Sequence, residues 1–448
     1  MTWFKFFYLA AVTIKPTLRY FDLTMIVISM VIGIGIFRNP SIIAQSAGTP
    51  SIFFLAWITG GTISLVGALT FAEIGSRLPQ AGGFYKTFAF CYPPPIAFTL
   101  IWTYLMLNAG AMSAVAYAGA QYITPVLFPS SLNNEAGRKI MFFIIIGILF
   151  FLNYAGIKSG SRTQNVLSSI KIVLMLIFCS AILFAKPSDG NATVIAQSVT
   201  KNFWLALGTS LIPVFFTFGG YQNTGNLGGD VKETKNISRA IITATTLILA
   251  LYLLINFVYV SLLGFEGVKN SPLIAADLSK LLFGDAGARI ASVAIFISIL
   301  GILNASLMFN PRVFYAMAEE GILPKIFMKT NEKNQVQEFS LMFFTFIIVF
   351  FFIILQTYEN LLNYVEFNDT IVLAAAAACI FFLRKKQKDY SGFRIFFYPW
   401  LPVIFILITL YVTASVTISD PKNAGIGFLV LISGLPFYYL LKLLRRNR

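Results

Sequence analysis

Charge is scarce in this chain. Asp, Glu, Lys and Arg make up 11% of its 448 residues, less than half of the ~25% found in domains whose surface meets water. Histidine is absent, which excludes imidazole metal sites, Ser-His-Asp triads and histidine proton relays. The three cysteines, Cys91, Cys179 and Cys379, are odd in number and scattered, so no disulfide framework is implied. No cleavable leader is expected, because the first apolar stretch runs into a glycine-containing span without a small-residue cleavage site. No long polar stretch offers room for a separate soluble domain, and no cofactor or metal motif stands out.

What fills the chain is apolar: 57% of residues are hydrophobic. Runs long enough to cross a ~30 Å hydrocarbon core recur from end to end. Twelve spans are predicted, at 22–46, 51–75, 94–124, 139–156, 163–185, 203–227, 238–264, 287–318, 338–357, 361–383, 398–418 and 424–444. The expected fold class is an all-α integral membrane protein in a lipid bilayer. The excess of 33 Lys and Arg over 18 acids sorts by side. Alternating the loops across the membrane puts 23 of the basic residues on the side of both termini, with Lys5, Arg77, Lys86, Lys232, Arg384 and Arg446 among them. Cytoplasmic loops are the Lys- and Arg-rich ones, so both termini are expected in the cytoplasm of a cell (inner) membrane. The basic charge reads as topology, and nucleic acid is not expected as a partner.

Two spans carry glycine where a membrane helix should be continuous. Ile32-Gly33-Ile34-Gly35-Ile36 lies mid-way through the first, and Phe216-Thr217-Phe218-Gly219-Gly220-Tyr221 mid-way through the sixth, about 185 residues later. Each stands in the first span of a five-span set, and paired interruptions at corresponding positions point to the binding site of an inverted-repeat transporter. Unwound backbone frees amides and carbonyls, which a membrane tolerates only beside protein or water. Amides at a helix N-terminus suit a carboxylate, and freed carbonyls suit an ammonium. A zwitterionic amino acid satisfies both. A lone glycine pair would more often serve close helix packing, which is the role expected of Gly60, Gly61 and Gly67. Duplication at matching positions favours binding for Ile32, Gly33, Ile34, Gly35, Ile36, Phe216, Phe218, Gly219 and Gly220, with Phe216 and Phe218 placed to gate.

These residues resemble the amino acid–polyamine–organocation (APC) superfamily, in particular its L-type-like amino acid permeases. Gly33-Ile34-Gly35-Ile36-Phe37 is similar to the family's G-S-G-I-F break. Ala72-Glu73-Ile74-Gly75 with Pro79-Gln80-Ala81-Gly82-Gly83-Phe84-Tyr85 resembles its A-E-L-G…P-x-x-G-G-x-Y segment. Arg312-Val313-Phe314-Tyr315-Ala316-Met317-Ala318 through Gly321-Ile322-Leu323-Pro324 resembles the end of its eighth span. The resemblance implies a five-plus-five inverted-repeat (LeuT-like) core, with repeats at 22–185 and 203–383, broken helices 1 and 6, and two further helices at 398–444. It also implies alternating access around a mid-membrane amino acid site. Ile34 stands where the family usually has Ser, so a hydroxyl for the substrate carboxylate is missing.

Lys171 lies in the fifth span, nine residues past Arg162, or ~13 Å along a helix. That is roughly twice a lysine's reach, so snorkelling to the interface does not explain it. Intramembrane ionisable groups are functional candidates by default. The resemblance implies that its ammonium replaces a sodium ion, among backbone oxygens near Gly33 and a polar face around Asn304 and Ser306, and so couples the first break to the eighth span. Glu73 is expected to pair structurally with Arg77, and Tyr104 and Tyr117 to line the pore.

The function expected is secondary active transport of amino acids, neutral ones by preference, by proton symport or exchange and without sodium. A polyamine or other amine permease is an alternative, although neither break contains an acidic residue. A non-transporting sensor is another, but the tails are short. An intramembrane enzyme is not expected, since Glu73, Lys171 and Glu366 lie on different spans without a catalytic spacing.

Overall fold

The computed structural model describes residues 18–80, 82–180, 202–331, 335–354 and 358–446. Fourteen α-helices follow in order: α1 (Tyr20–Val31), α2 (Gly35–Ala47), α3 (Pro50–Arg77), α4 (Gly83–Cys91), α5 (Pro94–Leu127), α6 (Glu135–Tyr154) and α7 (Ile157–Ser180). The second half holds α8 (Phe203–Phe218), α9 (Lys235–Asn270), α10 (Ile274–Glu319), α11 (Glu338–Ile354), α12 (Tyr358–Lys386), α13 (Trp400–Ser419) and α14 (Pro421–Arg446). Ten segments among the described residues are long and apolar enough to cross a membrane. At the fourth and ninth expected spans stand α6 and α11, of 20 and 17 residues. The expected ends at 181–185 and 355–357 lie outside the described residues, as does the side chain of Glu366.

Local chemistry sets the ends. Gly48 closes α2 in the left-handed conformation, and Thr49 caps α3 by accepting from the Ile52 amide, with Pro50 in the first turn. Left-handed glycine and an N-terminal hydroxyl-proline pair are the usual stop and start signals of helices. Long α9 bends at Gly264 and long α10 at Gly284, next to where the predicted spans 238–264 and 287–318 end and begin. Short α4 packs on α5 and α12.

At the centre, α1, α2 and α8 are held between α3 and α9 on one side and α10 on the other, with α5 packed behind α10. Outside these, α13 packs on α12 and α8, and α14 on α5 and α12. Gly60, Gly61 and Gly67 bring α3 against Val214, Leu249 and Phe405, the packing role expected of them. The outer faces are apolar: Phe151, Phe346 and Leu429 are 69%, 64% and 68% exposed. Exposed apolar surface on this scale belongs against lipid tails.

Candidate functional site

The first break separates α1 from α2. Ile32 turns to an extended conformation (φ −72°, ψ 94°) and Gly33 and Ile34 form a bend before α2 restarts at Gly35. Among the described residues, the amides of Gly33, Ile34, Gly35 and Ile36 have no hydrogen-bond acceptor, and the Met30 carbonyl has no donor. The carbonyls of Val31 and Ile32 are taken instead by side chains, the Tyr252 hydroxyl at 3.0 Å and the Lys171 ammonium at 2.9 Å. Four unpaired amides at the start of a helix give a positive pole.

The second break ends α8. Gly219 is extended and Gly220 has φ +124°, after which the chain continues in 3-10 turns over Tyr221–Asn226 and Gly228–Asp230. A Cβ on Gly220 would lie 2.7 Å from the Met30 carbonyl oxygen, so both its left-handed backbone and its approach to α1 require glycine. In return, a Cβ on Gly35 would lie 2.9–3.0 Å from Thr217. Each break is thus seated against the helix that carries the other, and Asn39 pins them by donating to the Thr217 hydroxyl (2.8 Å) and the Pro213 carbonyl (3.2 Å). Close packing and an opened backbone are one arrangement here.

Between the breaks lies a cavity of about 110 Å³. Gly33, Ile34, Gly35, Phe216, Gly219 and Gly220 line it. Ile32, Ile36 and Phe218 are fully buried and outside its lining. Ile32 offers its carbonyl to Lys171, and Phe218 is packed edge-on to Trp57 and against Tyr252. The cavity adds residues that the sequence reading did not select: Asn108 from α5, Thr217, Asn223 and, from α12, Asp369. Neither break itself contains an acidic residue. The fold brings one in from a span four helices downstream of the second break, and the rule that singled out Lys171 would have found it.

Lys171 is fully buried. Its ammonium donates to the Ser29 carbonyl, the Ser29 hydroxyl and the Ile32 carbonyl, each at 2.9 Å. Three acceptors use all three protons of an ammonium. On α10 its neighbour is Gly301, where a Cβ would lie 3.0 Å from Cε and Nζ. Asn304 instead donates to Gln164 and accepts from Asn153, and Ser306 accepts from Asn310.

The basic end below the cavity is sealed. The Tyr104 hydroxyl donates to Asn223 at 2.5 Å and its ring stacks on Phe84 at 4.8 Å. Asn226 accepts from the Phe84 amide. Tyr117 packs on Phe352, away from the cavity lining. Glu73 is fully buried and accepts from Arg77, from both nitrogens of an Arg384 fork and from the Ile395 amide at 2.7–2.9 Å. Asp230 pairs with Arg312 at 3.0 Å. Lys86 reaches Glu319 and Glu320 at 2.9 and 2.8 Å. Burial works against the Lys86 charge, but hydrogen bonds to Glu320 and Glu319 outweigh it and raise its pKa above 10.5. No cluster of metal-ligating side chains occurs among the described residues.

A bundle of apolar helices with two facing breaks around a polar hollow defines a multi-pass membrane transport protein. The sequence pattern described as amino acid permease matches residues 18–440, and the chain belongs to that family, within the superfamily that its motifs resemble. It is 27% identical over 431 residues to the serine/threonine exchanger SteT of Bacillus subtilis (strain 168), covering 94% of this chain and 95% of the relative. It is 24% identical over 435 residues to the human large neutral amino acids transporter small subunit 2, covering 96% and 81%. Over 431 residues it is 26% identical to the human cystine/glutamate transporter, covering 93% and 83%. The family and these relatives are transporters, not enzymes.

Proposed function

We propose that the chain carries amino acids across a cell membrane by alternating access, with both termini cytoplasmic and the two five-span sets forming an inverted repeat. The substrate carboxylate binds the unpaired amides of Gly33–Ile36 at the head of α2. The ammonium binds the carbonyls left free at Met30 and Gly219. The observation that carries this reading is the set of unpaired backbone donors at the head of α2 and unpaired carbonyls at Met30 and Gly219, around one cavity. Ile34 supplies no hydroxyl, so carboxylate recognition rests on main-chain amides.

Neutral amino acids of small to medium size fit a cavity of about 110 Å³; a water-sized group needs ~10–15 Å³, so it holds on the order of ten such groups. Transport proceeds by exchange or proton symport and without sodium, because the Lys171 ammonium fills a nest of three oxygens beside the first break. Phe216, which lines the cavity, closes over the substrate; Phe218 backs it. Proteoliposomes containing the purified chain, preloaded with single amino acids, test this by counterflow of labelled substrate. Counterflow should appear with neutral amino acids, survive replacement of sodium by choline, and vanish with N-acetylated substrates. Failure of every amino acid to exchange would overturn the reading.

A further inference from the structure

Among the described residues, the internal acids are held by donors, with one exception. Glu73 has two arginines and an amide, Asp230 has Arg312, and Asp22 has Asn165 and the Arg19 amide. Asp369 has no hydrogen bond and no ion pair among the described residues. Among the described residues it is the one ionisable group in the cavity lining. The buried cation nearest the breaks is no partner for it, since all three protons of Lys171 go to Ser29 and Ile32.

Its neighbours in the wall are already committed. Asn108 donates to the Tyr104 carbonyl, Asn223 accepts from the Tyr104 hydroxyl, and Gln222 accepts from the Gly220 amide. An unpaired carboxylate within a membrane protein is costly and marks a place where a counter-charge arrives. The place is specific. Asp369 is carried by α12, which packs on α5, α3 and α8, whereas the unpaired amides belong to α2. A zwitterion whose α-groups lie on the breaks would direct its side chain to the wall formed by α5 and α12.

We propose that Asp369 is a side-chain recognition residue that pairs with an amine on the substrate, so the cargo includes short cationic amino acids of the ornithine type. The proposal rests on the reading that the α-amino acid group binds at the breaks. Space limits the class: the cavity suits an ornithine-sized chain, and arginine overfills it.

The experiment compares ornithine with norvaline, which has the same carbon chain without the terminal amine, in counterflow on wild-type proteoliposomes. Ornithine should half-saturate at a concentration ~10-fold lower, the ratio that one charge-assisted contact of ~1.4 kcal/mol supplies. Asp369→Asn should lower the ornithine-to-norvaline preference by the same factor, and Asp369→Glu should restore it in part. Should Asp369→Asn be inactive, thermal stabilisation of the wild-type protein by ornithine relative to norvaline still decides. Equal handling of the two substrates by the wild type overturns the proposal, as does a preference that Asp369→Asn leaves intact. A variant that keeps its preference but loses the pH-gradient dependence of norvaline uptake also overturns it, and makes Asp369 a proton carrier. If no amino acid, neutral or basic, shows counterflow, the parent reading fails as well.

Discussion

Replacing Lys171 by alanine removes the one cation that the first break is built around. Three oxygens, two on Ser29 and one on Ile32, lose donors at 2.9 Å. Hydrogen bonds to a charged donor contribute ~1.5–3 kcal/mol each, and the cost of desolvating the ammonium offsets part of their sum, which leaves a net loss of about 4 kcal/mol. Ile32 begins the turn that exposes the amides of Gly33–Ile36, so part of that loss falls on substrate binding. A third of it, ~1.4 kcal/mol, is tenfold in affinity. Counterflow with Lys171→Ala should therefore half-saturate at a concentration at least ~10-fold higher. The wild type should be indifferent to sodium, whereas the variant should regain part of its uptake with sodium, whose preference for oxygen ligands matches the vacated nest. Wild-type uptake by Lys171→Ala across pH would refute the role given to this residue.

Three further outcomes are expected. Gly220→Ala forces a side chain into φ +124° and to 2.7 Å from the Met30 carbonyl; strain of ~1–3 kcal/mol should cut counterflow about tenfold, and normal counterflow would deny the seat of α1 on this glycine. Glu73→Gln leaves Arg77 and Arg384 facing a neutral group at a fully buried position, and losing about 3–5 kcal/mol there should lower the detergent-solution unfolding temperature, with no shift counting against the network. Lys86 has its pKa raised, by Glu320 and Glu319 against the effect of burial, so its pairing contributes fully below the ordinary value of 10.5 and is lost only as pH rises through the higher folded value. Thermal unfolding of Glu319→Gln/Glu320→Gln should accordingly differ from wild type at pH 7 and converge with it only at alkaline pH above that value.

Much of the fold was legible because membrane physics leaves few choices. Apolar runs of the right length announce spans, and glycines with nothing to cap announce breaks. The bends of two long helices at Gly264 and Gly284 were not read from the sequence. The two backbone breaks were legible, and the side chains that line the cavity between them were less so. Gly33, Gly35, Gly219 and Gly220 carry their signal in the local sequence, whereas Asn108 and Asp369 reach the cavity only through the packing of α12 on α8 and of α5 on α12 and α10. Ile36 and Phe218 sit next to break residues yet face away, since a bend of one or two residues decides which side of a helix meets the hollow. Lys171 was found from its depth, but its partner on α10 was placed a helical turn too far along: Gly301, not Asn304, lies beside it.

The two breaks are not equivalent, and the difference bears on how the carrier moves. The first is followed by a regular helix, α2, whose amides face the cavity, and it is fixed from behind by Lys171 and Tyr252. The second is followed by 3-10 turns, whose side chains reach across the basic end: Asn223 to Tyr104, Asn226 to the Phe84 amide, and Asp230 to Arg312. Shorter 3-10 segments have poorer hydrogen-bond geometry than α-helix, so this half is the easier one to rearrange. In the proposed alternating-access cycle, opening the cavity toward the basic end would part these few side-chain contacts while the nest around Lys171 stays closed. Donor amides and the Met30 carbonyl would then keep hold of the substrate until the Gly219 side yields, an order set by which break was built as helix and which as turn.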